Sequence, residues 1–156
     1  SNTWTLSTDS DGQFPIENLD SIIPELWSSP HEVAFTYRTR KFDNALNRFG
    51  QKASNWLCNS IFGSHLKDFS CAFKLVKTSL LQSMRLDARY MNYSLDHSGK
   101  LLSAGVSYME FQVTCTPAPA RKRPLKAEYL RARNRFFYIA FLFFSVYLRK
   151  KRVIFS

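Results

Sequence analysis

Asp9-Ser10-Asp11-Gly12-Gln13-Phe14 sets two carboxylates and an amide at alternate positions, directly after the apolar run Trp4-Thr5-Leu6. Side chains of an extended chain alternate between faces, so Asp9, Asp11 and Gln13 can project the same way from a strand end. Oxygen donors grouped like this suit a hard divalent cation, which keeps positions open for water and substrate phosphate. The same residue types also build an Asx-rich turn closing a hairpin, because Asp, Ser and Gly are ordinary turn residues. The hexapeptide alone leaves both readings open.

The elements that must position these residues alternate between strand and helix. Residues 3–7 read as a short strand. Pro15 opens a helix running to about Ser28, with Ile16, Leu19, Ile22, Ile23 and Leu26 at helical spacing. Residues 32–37 read as a strand and 44–62 as an amphipathic helix, with Leu46, Phe49, Ala53, Trp56, Leu57 and Ile61 on one side and Gly63 as its stop. An extended stretch over 69–76 follows, then helices near 78–85 and 90–104, and a strand over 106–116. Pro117, Pro119 and Pro124 mark an irregular loop before a basic helix. This order describes an α/β layered domain.

Charge is concentrated at one end. Of 22 Lys and Arg residues, eleven lie between Arg121 and Arg152 against the single acid Glu128, so that segment carries the whole net charge of +10. Within it, residues 136–148 are apolar on every side. As a helix this block would span about 20 Å, short of the roughly 30 Å hydrocarbon thickness. It fits a helix lying in a membrane interface or a buried C-terminal helix; nucleic acid is the poorer partner, because single-strand platforms interleave aromatic and basic groups. Cys58, Cys71 and Cys115 are odd in number and His31, His65 and His97 are dispersed, so neither a disulfide framework nor a local zinc motif is expected.

Four stretches carry a resemblance. Asp9 to Phe14 is similar to the DxD segment of family 2 glycosyltransferases. Tyr37-Arg38-Thr39-Arg40-Lys41-Phe42-Asp43 resembles the "GxR..R.D" strand end of that family. Lys67-Asp68-Phe69-Ser70-Cys71-Ala72-Phe73-Lys74 resembles its "D..CxFK" signature, and residues 104–113 its "G....E.PV" strand. All four occur in the family's order, and together they resemble the branch that transfers sugars to polyprenyl or dolichol phosphate. The resemblance implies a partial, Rossmann-like GT-A domain over residues 1–123, its acceptor-side half, with 124–156 as a basic aromatic C-terminal helix. It also implies a nucleotide-binding half preceding Ser1.

The resemblance further implies roles. Asp9, Asp11 and Gln13 would hold Mg²⁺ or Mn²⁺; Asp68 would lie at the catalytic centre; Ser70 and Lys74 would face the donor; Arg38, Arg40 and Arg48 would bind the acceptor. Two departures stand out. The "H.PR..G.S" segment is here Cys115-Thr116-Pro117-Ala118-Pro119-Ala120-Arg121, without its His and Gly, and the Glu of the "TEIL" helix is missing, with Asp96 near its place. The expected function is metal-dependent, inverting transfer from a nucleotide-sugar donor to a lipid phosphate or other membrane-borne acceptor, at the cytoplasmic face of a membrane and without nucleic acid. The alternative is an inert fragment or accessory module that binds anionic membranes through its basic tail.

Overall fold

The computed structural model describes residues 3–39, 45–84 and 93–116, with positions 130, 133, 136, 137 and 140 further on. Strands β1 (Trp4–Ser7), β2 (Val33–Arg38), β3 (Lys74–Lys77) and β4 (Tyr108–Val113) form one mixed sheet in the order β1-β3-β2-β4. β3 is antiparallel to both neighbours, whereas β2 and β4 are parallel. Consequently β1, β2 and β4 point the same way, and their C-terminal ends share one end of the sheet with the start of β3. Ser7 lies opposite Lys74 in the register, so the Asp9 loop leaves β1 beside the first residue of β3.

Strand alternation sorts the side chains into two cores. Ala34 on β2, Leu75 on β3, and Phe111 and Val113 on β4 pack with Ile22 and Leu26 of helix α1 (Asn18–Trp27). The opposite face presents Val33, Phe35 and Val76 to Cys58 of α2 (Ala45–Phe62) and to Leu95 and Leu101 of α4 (Tyr93–Ser103). A short helix α3 (Thr78–Gln82) follows β3 and adds Leu80 and Leu81 to that second core. Mixed α/β structure with helices on both faces of a sheet is therefore present, in the expected order.

Three details depart from the sequence reading. Helix α1 starts at Asn18, because residues 15–18 form a turn in which the Pro15 carbonyl oxygen accepts from the Asn18 amide at 3.3 Å. β3 starts at Lys74, because the Cys71 amide donates to the Asp68 carbonyl oxygen and turns residues 68–71 away from an extended path. The largest departure is in α2. Of the apolar residues expected on one side of it, Phe49, Trp56 and Leu57 are 72%, 67% and 38% exposed while Ile61 packs against the second core, and Cys58 is fully buried. Of the basic C-terminal helix, Leu130, Arg133, Phe136, Phe137 and Ala140 are helical; the rest of that expectation lies outside the described residues. No helix among the described residues is long and apolar enough to cross a membrane.

Helices α2 and α4 meet at a glycine. A Cβ built on Gly99 would stand 2.6 Å from Cζ of Phe62, whose ring is stacked on buried Phe69 at 5.4 Å. Gly99→Ala is therefore expected to lower stability by about 1–3 kcal/mol through overpacking, although alanine has the better helix propensity. Denaturant midpoints of the two proteins at equal slope would measure it.

Candidate functional site

Asp68 is the centre from which the site can be built. It is 6% exposed, and a carboxylate removed from water needs partners to hold its charge. Arg38, the last residue of β2, supplies a fork: its Nε donates to Oδ2 at 2.8 Å and one terminal nitrogen to Oδ1 at 3.3 Å. Ser70 joins them, donating its hydroxyl to Oδ1 at 3.1 Å and accepting from Arg38 at 3.3 Å. Burial works against the guanidinium charge, and the hydrogen bond and charge of Asp68 more than offset it, raising the Arg38 pKa.

Two asparagines of α2 hold the loop that delivers Asp68. Nδ2 of Asn55 and Nδ2 of Asn59 both donate to the Leu66 carbonyl oxygen, at 2.7 and 2.9 Å. Oδ1 of Asn59 accepts from the Leu66 amide at 3.0 Å and the Ser64 hydroxyl at 2.7 Å, and Oδ1 of Asn55 accepts from the Phe69 amide at 2.6 Å. From β4, Oε1 of Glu110 accepts from the Lys67 amide at 2.8 Å, and burial raises the Glu110 pKa. Sequence reasoning passed over Asn55 and Asn59; their i, i+4 spacing on a helix next to a non-regular segment was the available signal.

A cleft of about 410 Å³ opens between α2 and this loop. Arg38, Arg48, Asp68 and Ser70 line it, so four of the expected site residues meet there, joined by Lys52 and Lys67. The Lys67 ammonium also lies 4.3 Å from the centre of the Tyr37 ring. With one carboxylate against four cations, the cleft favours an anion. Arg40 lies outside the described residues.

The acidic loop occupies the same end of the sheet without lining that cleft. Asp9 and Asp11 are exposed and Gln13 is half-buried. Oδ1 of Asp11 accepts from the Gln13 amide at 3.1 Å, the Asx turn that the residue types allow, with Gly12 at φ 72°. Thr116 pins this turn from beyond β4: its amide donates to the Gln13 carbonyl oxygen at 2.9 Å, and Nε2 of Gln13 donates to its carbonyl oxygen at 3.5 Å. Asn18 adds a second tie, accepting from the Thr114 amide at 2.8 Å and donating to its carbonyl oxygen at 3.0 Å. Phe14 anchors the loop on Phe73, ring centres 5.5 Å apart. Thr116 thus braces the acidic loop.

Lys74 stands between the two halves and is 1% exposed. Its ammonium donates to the Ser94 carbonyl oxygen at 3.3 Å rather than opening onto the cleft. Burial lowers its pKa to about 8, against the charges of Cys71, Asp68 and Asp9, which favour the proton. Neighbouring His97 is fully buried, and neither ring nitrogen has a hydrogen-bond partner among the described residues. Burial and the Lys74 charge lower its pKa to about 4. Asp96 pairs with Lys100 at 3.2 Å.

Two outcomes are expected. Asn59→Ala should destabilise the protein by about 2–4 kcal/mol, since it strands the Leu66 and Ser64 groups in a buried setting. Amide exchange at Leu66 and Phe69 should accelerate more than at β2; uniform acceleration would remove the special role of Asn59. For His97, the unfolded state takes its proton near pH 6.5 and the folded state near pH 4, so stability falls as pH falls through that window. The loss is on the order of 3 kcal/mol, and His97→Phe should flatten the slope of stability between those pH values whatever its absolute stability.

No protein-family model matches this chain, and no curated protein matches it. What the site does must be inferred from its geometry and residue chemistry.

Proposed function

We propose that the chain belongs to a metal-dependent, inverting glycosyltransferase of the GT-A type, moving a sugar from a nucleotide-sugar donor to a lipid-borne phosphate. The observation that carries this reading is the pairing, at one end of the sheet, of an exposed acidic loop with a cation-lined cleft. The transfer needs both: a diphosphate leaving group that gathers negative charge, and a phosphate nucleophile that must be held in place.

Among the described residues no three His, Cys, Asp or Glu side chains form a metal-holding group. Mg²⁺ asks less, being commonly held by one or two carboxylates together with substrate phosphates. Asp9, Asp11 and the amide oxygen of Gln13 are donors of that chemistry, on a loop braced by Thr116. A bound Mg²⁺ or Mn²⁺ would supply charge stabilisation of the diphosphate.

The chain's own residues account for the acceptor side. A phosphate monoester is already ionised at neutral pH, so an acceptor oxygen can form the new bond to the anomeric carbon without a base. The bond from that carbon to the diphosphate breaks, and the electron pair leaves with the diphosphate, inverting the centre. Arg48, Lys52 and Lys67 draw the acceptor phosphate into the cleft, with Arg38 at its inner wall. Asp68, with Arg38 and Ser70 on its oxygens, serves by orienting the Arg38 fork, and Lys74 supplies fixed positive charge behind Asp9.

The test is nucleotide diphosphate release by the full-length protein from a panel of nucleotide sugars, with polyprenyl phosphate in detergent and with Mg²⁺ or Mn²⁺. Asp11→Asn should weaken metal-dependent binding of nucleotide diphosphate on the order of 100-fold, because an amide keeps the shape and loses the charge. Arg48→Lys should raise the KM for the acceptor several-fold and leave the donor KM unchanged, since an ammonium cannot make a two-point contact. Binding of anionic vesicles with no nucleotide bound under any metal would favour the accessory module instead.

A further inference from the structure

Helix α2 has no acidic residue, and its outer surface is apolar along the middle and cationic along one flank. At 3.6 residues per turn, Phe49, Ala53 and Trp56 fall on one stripe, Leu57 borders it, and Lys52 and Arg48 run beside it. Phe49 and Trp56 are 72% and 67% exposed, among the most exposed large apolar side chains described. Single exposed apolar residues are common, but several on one stripe of one helix mark an interaction surface.

We propose that this face of α2 seats the protein on an anionic lipid surface, with Phe49, Trp56 and Leu57 among the headgroups and Arg48, Lys52 and Lys67 against the lipid phosphates. Charge decides the occupant. A second copy docked through the same patch would bring Arg48 and Lys52 of each copy towards their counterparts, a like-charge arrangement. An anionic bilayer pairs those cations and takes up the aromatic stripe, the combination that holds helices at membrane interfaces.

Continuity with the site supports the same occupant. Arg48, Lys52 and Trp56 belong both to this face and to the lining of the cleft, so the cleft opens where the bilayer would lie. A phosphate on a membrane-held lipid would enter it without leaving the surface. This purpose rests on the lipid-borne acceptor proposed above; the docking itself does not require sugar transfer.

The chain has three tryptophans, and Trp4→Phe with Trp27→Phe leaves Trp56 as the only one. Trp4 buries an indole nitrogen without a hydrogen-bond partner among the described residues and Trp27 is exposed, so both changes should be tolerated. With vesicles of phosphatidylcholine and phosphatidylglycerol, Trp56 emission should shift to the blue and be quenched by brominated acyl chains, and added salt should weaken binding without abolishing it. Phosphatidylcholine alone should give little shift. In the otherwise unaltered protein, Phe49→Ser with Leu57→Ser should weaken vesicle binding about ten-fold, close to 1.4 kcal/mol, with an unchanged melting transition.

Because Trp56 reports on α2 alone, binding through the basic C-terminal segment would leave its emission unshifted, and that result overturns the proposal. So does absence of vesicle binding, or a Trp56 shift that follows protein concentration without lipid. Vesicle binding through Trp56 with no diphosphate release by the full-length protein would sink the glycosyltransferase reading and leave the docking face standing. Release without any Trp56 shift would do the reverse.

Discussion

A carboxylate carried into the protein at the end of the sheet sets the terms for much of what surrounds it. Asp68 is 6% exposed, and an unpaired charge there would cost several kcal/mol. Arg38 answers the charge from β2 and Ser70 from the turn that follows. The loop that brings Asp68 to this point runs over residues 64–69 without regular structure, so its backbone groups also need partners. Asn55 and Asn59 provide them, and they can do so only if the polar side of α2 faces inward. The apolar stripe of Phe49 and Trp56 is turned outward as the result. One buried carboxylate thus connects the cleft, the orientation of a helix and the character of an outer surface.

The strand directions explain why acidic and basic groups meet at all. With β1, β2 and β4 pointing the same way, the loops after all three gather at one end of the sheet, and the reversed β3 begins there. Lys74 lies at that start, opposite Ser7, where Asp9 and Asp68 both favour its proton while burial opposes it. A buried ammonium between two acidic positions lets the negative loop and the positive cleft stand close together. The uncharged His97 behind it follows from the same field, since Lys74 and burial both disfavour its protonation.

Rigidity in the acidic loop comes from outside the loop. The Asx turn at Asp11 shapes it locally, yet Thr116 ties it to the segment leaving β4, and Phe14 fixes it to the core through Phe73. The turn reading of this hexapeptide is the one present in the structure.

The sequence by itself determined the succession of elements and most of their boundaries. Periodicity and local punctuation are short-range properties: the spacing of Leu19, Ile22 and Leu26 predicts α1, and Gly63 and Gly105 lie just past the ends of α2 and α4. Of the residues singled out by motif resemblance, Arg38, Arg48, Asp68 and Ser70 line one cleft, whereas Asp9, Asp11, Gln13 and Lys74 do not. What the sequence could not give was which face of α2 turns inward, because an apolar stripe is ordinarily the buried one, and here part-buried hydrogen bonds from Asn55 and Asn59 compete with it and win. Nor could it pair Arg38 with Asp68, separated by thirty residues, or Gln13 with Thr116. Those contacts depend on strand order and direction, and only the tertiary structure sets these, since the same alternation of strands and helices is compatible with other orders of the sheet.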